Sequence, residues 1–248
     1  MGSEYYESDS ILAEYLFFHY GKSEDYLPYG MGPHDALDFP VRVVQKGLEG
    51  LSASLEGLRA LDLGCAVGRS SFELSKTFQE VIGIDFSEAF IRSAQKIQSE
   101  RVLTLRVAQE VGRTKEVEIE LPQGIHSDRV EFRQGDALNL SPMLGKFDLI
   151  LAANLIDRLP DPRRFLQGIG AFLNPKGALL LSSPYTWMES FTPPQNWLNQ
   201  EDESFEVIQS ILNPEFSLQK RMNLPMLIRE HQRKYQWTVS ELSVWIKN

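Results

Sequence analysis

Short apolar runs alternating with helical stretches predict an α/β chain. The expected sheet is mostly parallel and seven-stranded, with an antiparallel C-terminal edge and helices on both faces. Two further observations support this. Residues 58–63 run straight into Gly64-Cys65-Ala66-Val67-Gly68, a glycine-bounded turn at a strand end. Residues 214–247 read as two strands with no long helix between them, as an antiparallel pair on a parallel sheet would.

The elements follow in order. Ser8-Asp9-Ser10 offers helix caps, Ile11, Leu12, Tyr15, Leu16 and Phe18 mark an apolar face, and Gly21 can end the helix. An aromatic, Pro/Gly-rich loop spans residues 26–33, and Pro40 suits the first turn of a second helix. Residues 1–57 are thus expected to form an N-terminal helical cap on a core of residues 58–248, the whole making one domain. In that core, runs at 58–63, 81–86, 130–132, 147–153 and 178–183 read as buried strands. Helices are expected over residues 70–78, 88–98 (capped by Ser87), 162–173 (capped by Asp161) and 201–212. Residues 102–121, β-branched and charged around Gly112, read as a hairpin insertion, and the last strands are read at 216–222 and 235–246.

Composition excludes several classes. Lys plus Arg is 25 against 34 for Asp plus Glu, a net charge of −9, and there is no basic run. Nucleic acid is therefore not an expected partner, since its phosphates draw affinity from clustered Lys and Arg. The single cysteine, Cys65, precludes an internal disulfide and fits a reducing cytoplasm. The apolar stretch at 11–18 is too short to cross a membrane. His19, His34, His126 and His231 are scattered without ligand spacing, so no metal site is expected. His19 reads as a helix-packing residue, Cys65 as a small loop residue, and Tyr15 to Phe18 as core.

The chemistry is concentrated at strand ends. A strand, glycine turn and helix present unpaired backbone N–H groups to a ligand. The spacing here is G-x-x-x-G, which is neither the dinucleotide fingerprint G-x-G-x-x-G nor a P-loop, and this argues against a nicotinamide oxidoreductase. Asp85, 17 residues after Gly68, ends the second strand, where a carboxylate can accept both hydroxyls of a ribose. Asp136 follows the third strand, placed to bond an adenine amine.

Together these features resemble the class I, Rossmann-like S-adenosylmethionine-dependent methyltransferases, over about residues 55–247. The resemblance implies S-adenosylmethionine as cofactor and S-adenosylhomocysteine as product. By it, Asp62 and the Gly64, Cys65, Ala66, Gly68 loop face the methionine part. Asp85, with Phe86 beside it, takes the ribose, Asp136 and Ala137 the adenine, and Asn154 completes the cofactor set.

A narrower likeness rests on Tyr5-Tyr6-Glu7-Ser8, Leu27-Pro28-Tyr29-Gly30, Phe39-Pro40-Val41-Arg42 and residues 61–72, 152–160 and 183–187. Phe191-Thr192-Pro193 and Ile228-Arg229-Glu230-His231 add to it. These are similar to the methyltransferase domain of ovothiol-biosynthesis enzymes, the 4-mercaptohistidine N1-methyltransferases. That likeness implies N-methylation of a 5-thiohistidine imidazole, with a sulfoxide synthase as the supplier of this small, amino-acid-like substrate. The alternative acceptors are a selenium analogue or another amino acid or amine, and a cofactor-binding protein without activity is a further alternative.

Asn154 and Asp157 are the expected catalytic contacts, following the fourth strand directly. Arg42 is expected to hold a carboxylate, Tyr29 and Tyr185 (with Trp187) to wall the ring, and Tyr5, Tyr6 and Arg158 to complete the substrate site.

Overall fold

The computed structural model describes residues 7–51, 58–200 and 202–248. Three helices lead: α1 (Asp9–Tyr20), α2 (Ser23–Tyr26) and α3 (Phe39–Leu48). The core follows as β1 (Arg59–Leu63), α4 (Arg69–Leu74), β2 (Glu80–Asp85), α5 (Glu88–Glu100), β3 (Val102–Glu110), β4 (Arg113–Glu120), β5 (Val130–Gln134) and β6 (Phe147–Ala153). It ends with α6 (Pro162–Gly168), β7 (Leu173–Ser183), α7 (Ser204–Leu212), β8 (Phe216–His231) and β9 (Lys234–Lys247).

The seven-stranded sheet has the order β5-β2-β1-β6-β7-β9-β8. Its first five strands are parallel, β9 runs antiparallel to β7, and β8 antiparallel to β9. The expected fold class is borne out. Neighbouring residues of β6 serve opposite faces: Leu149 and Leu151 join one apolar cluster with α1, α3 and α5, while Ile150 and Ala152 join another with α6 and α7. Burial on both faces is why these strands read as continuous apolar runs. Each fully buried leucine there contributes about 1.5–3 kcal/mol. The strand order reverses between β1 and β6, and such switch points open a crevice at the carboxyl ends of the strands.

Local chemistry sets the helix ends. Ser8 Oγ accepts from Ile11 N–H, Ser87 Oγ from Phe90 N–H at 3.1 Å, and Asp161 Oδ1 from Arg164 N–H at 2.9 Å. The helix read at 70–78 stops at Leu74, because Ser75 Oγ turns back to donate to Phe72 O at 2.7 Å. The helix read at 162–173 is α only to Gly168 and continues as a 3-10 turn to Phe172. Residues 102–121 form a separate two-stranded antiparallel sheet, β3 with β4.

The C-terminal pair is longer than the sequence suggests. Strands expected at 216–222 and 235–246 extend to Phe216–His231 and Lys234–Lys247. The strand read at 216–222 stops short of Pro225. Yet β8 lies at the sheet edge, where a residue without an N–H is tolerated, and Pro225 pairs with Val239. Among the described residues, no helix is long and apolar enough to cross a membrane.

Candidate active site

At the end of β1 the chain turns through a loop built on positive φ angles: Gly64 at 71°, Ala66 at 46° and Gly68 at 86°. The N–H groups of Gly64 and Cys65 both donate to Ile84 O, at 2.8 and 3.1 Å, which fastens the loop to β2. Gly68 packs so closely that a Cβ there would lie 2.5 Å from Phe132 Cζ. Gly68→Ala therefore combines left-handed strain with a steric clash. The expected loss is about 2–4 kcal/mol, read as a lower denaturant midpoint.

Four carboxylates face the crevice. Asp85 Oδ2 accepts from Ala66 N–H at 2.8 Å and Oδ1 from Ser87 N–H at 2.9 Å, so one side chain joins the loops after β1 and β2. Burial pushes its pKa up to about 6. Asp62, on β1, accepts from Ser71 Oγ at 2.6 Å. Burial, with the Asp85 charge nearby, pushes Asp62 up to about 7. Asp136, after β5, accepts from Leu138 N–H at 2.8 Å and from the Asn139 amide.

Asp157 is fully buried in the turn after β6. Its Oδ2 accepts from Arg158 Nη1 at 2.9 Å, Thr186 Oγ1 at 2.9 Å and Thr186 N–H at 3.2 Å. Its Oδ1 has no partner among the described residues. Burial moves the Asp157 carboxyl above the usual range, against the opposing pull of Arg158.

Asn154 ends β6 with φ at 52°. Its Oδ1 accepts from Ser182 Oγ at 3.0 Å and Ser240 Oγ at 2.9 Å, and its Nδ2 donates to Met226 Sδ at 3.1 Å. One side chain thus ties the carboxyl ends of β6 and β7 to the middle of β8 and β9.

These groups line one cavity of about 600 Å³. Of the residues expected from sequence, it brings together Asp62, Gly64, Cys65, Ala66, Asp85, Phe86, Asp136, Ala137, Asn154, Asp157 and Arg158. Gly68 lies beneath the loop, against Phe132 and Ala94.

Four expected substrate residues lie elsewhere. Arg42 donates to the carbonyls of Leu37 and Pro225, so it ties α3 to the C-terminal hairpin and does not reach the cavity. Tyr29 is 40% exposed and lies under the Arg233 guanidinium. Tyr185 turns away to donate its hydroxyl to Glu241 at 2.8 Å, and Trp187 donates to Ser204. Tyr5 and Tyr6 fall outside the described residues.

Other lining residues escaped the sequence reading. Met226 pairs with Thr238 and Ile228 with Gln236, so alternate residues of the β8–β9 hairpin present one face to the cavity. That period of two was hidden because the strands were read too short. Phe191 and His19 line it as well. His19, expected to pack within its helix, is also a wall of the cavity.

The described lining carries four carboxylates against the single guanidinium of Arg158. Such a cavity attracts cations. Its volume suits a small molecule, in the range of roughly 300–1,000 Å³. A cofactor with a sulfonium, an ammonium, a ribose and an adenine fits this donor set.

Comparison with known proteins points the same way. Two family models, each described as a methyltransferase domain, match residues 61–179 and 123–241. The chain is 28% identical over 137 residues to a ubiquinone biosynthesis O-methyltransferase of Azorhizobium caulinodans, covering 55% of this chain and 44% of that protein. A Coxiella burnetii protein of the same description is 26% identical over 130 residues, covering 52% and 45%. The matches thus span just under half the length of these curated relatives.

Among solved structures, magnesium protoporphyrin IX methyltransferase from Synechocystis PCC 6803 with bound S-adenosylhomocysteine superposes with a TM-score of 0.58. The identity is 17%, over 99% of this chain and 98% of the other. The N-methyltransferase NodS of Bradyrhizobium japonicum, also with S-adenosylhomocysteine, gives 0.55 at 14% identity over 97% and 99%. At those identities the likeness is one of fold.

Proposed function

We propose that this S-adenosylmethionine-dependent methyltransferase domain methylates a ring nitrogen of a small amino-acid-like acceptor, an imidazole of the 5-thiohistidine type. When bound, the cofactor supplies a methyl group on a positively charged sulfonium, which departs as a neutral thioether. The loop from Gly64 to Gly68 and Asp62 would hold its methionine part, Asp85 the ribose, and Asp136 with Ala137 the adenine.

One observation supports the acceptor class: Asp157, a lining residue of the cavity, is fully buried and has one carboxylate oxygen without a partner among the described residues. An unpaired carboxylate oxygen in such a place is costly until a donor reaches it. An ammonium, a ring N–H or a hydroxyl supplies that donor, whereas an ether or carboxylate would not, and the acidic lining favours the cationic of these. The acceptor's own carboxylate falls to Arg158, the only cationic side chain on the described lining. Asn154 has its amide engaged on both sides and acts as a positioning residue. The motif likeness described above, which runs nearly end to end, favours thiohistidine within this class. A selenium analogue presents the same ring donors, and another amine remains the broader alternative.

A nitrogen acceptor also suits the groups on this wall: Asp62 and Asp85, which titrate nearest neutrality, are assigned to the cofactor. A hydroxyl must lose its proton on methylation and needs a base that titrates near neutrality. His19, the only imidazole on the described lining, is held down to about pKa 3 by burial and the Arg69 charge. A ring nitrogen with a free lone pair needs only placement in line with the methyl group, which is a proximity effect worth up to roughly 7–11 kcal/mol.

The test is turnover with S-adenosylmethionine and 5-thiohistidine, with histidine and ergothioneine as controls, read by mass spectrometry. The expected result is a gain of one methyl group on thiohistidine alone. No product, with S-adenosylhomocysteine still bound tightly, would overturn the acceptor and leave the cofactor standing.

A further inference from the structure

Thr186 makes four hydrogen bonds to two charged residues of the cavity wall, and the proposed chemistry has given it no task. It belongs to a strap that follows β7. Alternate residues of the strap, Pro184, Thr186, Met188 and Ser190, line the cavity, while Tyr185 and Trp187 donate to Glu241 and Ser204. Tyr185 stands at φ 54°, a left-handed conformation that a residue other than glycine keeps only where its surroundings impose it. The far end of the strap is fastened by the fully buried Thr192, whose hydroxyl donates to Leu159 O at 2.8 Å.

The Thr186 hydroxyl works in both directions. It donates to Asp157 Oδ2 at 2.9 Å and accepts from Arg158 Nη2 at 3.3 Å. The backbone repeats this: the N–H donates to Asp157 Oδ2 at 3.2 Å, and the C=O accepts from Arg158 Nη1 at 2.9 Å. Arg158 Nη1 also donates to Asp157 O and Oδ2, so three oxygens share its two N–H groups. Nη2 carries two N–H groups as well, and Thr186 Oγ1 takes one of them. The Phe191 ring lies against the face of the guanidinium, 5.4 Å from centroid to Cζ. Asp157 is fully buried, whereas the Arg158 side chain is 26% exposed, so Arg158 is the accessible member of the pair on the cavity. A planar fork held at Nη1 alone can swing about that nitrogen. Held at Nη2 as well, with a ring on its face, it keeps one orientation.

We propose that Thr186 is a positioning residue: its hydroxyl fixes the plane of the Arg158 guanidinium, so that the remaining Nη2 N–H meets the acceptor's carboxylate. This rests on the acceptor reading above, in which Arg158 takes that carboxylate. A carboxylate bound to a fork of fixed orientation brings the rest of the acceptor to one place relative to the methyl group. Selection of an amino acid over the corresponding amine therefore depends on a residue that touches neither the ring nor the methyl group. An amine without the carboxylate gains nothing from Thr186.

The test uses the full chain with Thr186→Val, which keeps the shape and both backbone bonds but removes the hydroxyl, and Thr186→Ser, which restores it. Thr186→Ala is a second variant without the hydroxyl. Two acceptors, 5-thiohistidine and its decarboxylated amine, are compared by kcat/KM at saturating S-adenosylmethionine, with the thermal midpoint and the affinity for S-adenosylhomocysteine read alongside. The wild type should prefer thiohistidine. In Thr186→Val and Thr186→Ala that preference should fall about tenfold, through a higher KM for thiohistidine, with S-adenosylhomocysteine bound within about twofold of wild type. Thr186→Ser should recover the preference to within about threefold. Hydroxyl-free variants that keep the wild-type preference would overturn the inference and leave the acceptor reading standing. A lowered midpoint with that preference intact is the outcome of a purely structural role and overturns it equally. A wild type that uses both acceptors alike would overturn the assignment of the carboxylate to Arg158, and this inference with it. A wild type that binds S-adenosylhomocysteine but turns over neither would overturn the acceptor reading itself, and the role of Thr186 falls with it.

Discussion

Asp85→Asn is expected to weaken S-adenosylhomocysteine binding roughly 100-fold, about 2.7 kcal/mol, while the protein still folds. The carboxylate has two tasks. It accepts Ala66 N–H with one oxygen and Ser87 N–H with the other, holding two loops in register at the mouth of the cavity. Its remaining lone pairs are proposed to take the ribose hydroxyls as charge-assisted bonds. The amide keeps one acceptor for a backbone N–H and loses the charge. The cost of burying that charge, visible in a pKa raised to about 6, disappears with it, which offsets the lost loop contact. Fold and affinity should therefore separate. Isothermal titration against a thermal melt reads both, and an Asn variant that binds within threefold of wild type would sink the ribose assignment.

The sheet was legible because its signals are local. Continuous apolar runs mark strands buried on both faces, and Ser8, Ser87 and Asp161 cap the helices they precede. The glycine loop, Asp85 and Asp136 were legible because the ends of parallel strands lie at one edge of the sheet, so a motif at each end implies a shared crevice. Substrate residues had no such rule. Arg42 and Tyr185 stand in plausible places along the chain, yet each finds a partner far away in sequence, Pro225 and Glu241 respectively. A hydrogen bond across 183 residues leaves no periodic trace. Met226, Ile228, Gln236 and Thr238 did carry a trace, the alternation of a paired hairpin. It is lost where the strand read at 216–222 stops short of Pro225, whose tolerance depends on β8 being an edge strand, and edge position is a property of the assembled sheet. His19 illustrates the same limit: its helix was evident, but its exposure to the cavity depends on what α1 packs against.

The cavity acids also make ligand-free stability fall as pH rises, which reverses the common behaviour of paired carboxylates. Asp62 is raised from 3.8 to about 7 and Asp85 from 3.8 to about 6. Below the unfolded value both states hold the proton, and neither group alters stability. Between that value and the raised folded value, the unfolded chain ionises while the folded one does not. Stability is therefore lost steadily from about pH 4 to about 7, and the full penalty is present above that range. For Asp62 alone the linkage is about 4 kcal/mol. A cation placed beside these carboxylates reverses the effect by favouring their charged forms. S-adenosylmethionine carries the sulfonium charge and S-adenosylhomocysteine does not, so the affinity ratio of the two should move toward the cation, by about tenfold or more, between pH 5.5 and 8. Binding of the cation near pH 6.5 should release protons, measurable by calorimetry in buffers of different ionisation enthalpy. Asp62→Asn should flatten both the pH dependence of stability and much of the proton release. A ratio that stays constant across that range, with no proton release, would show that Asp62 does not face the sulfonium end of the cofactor.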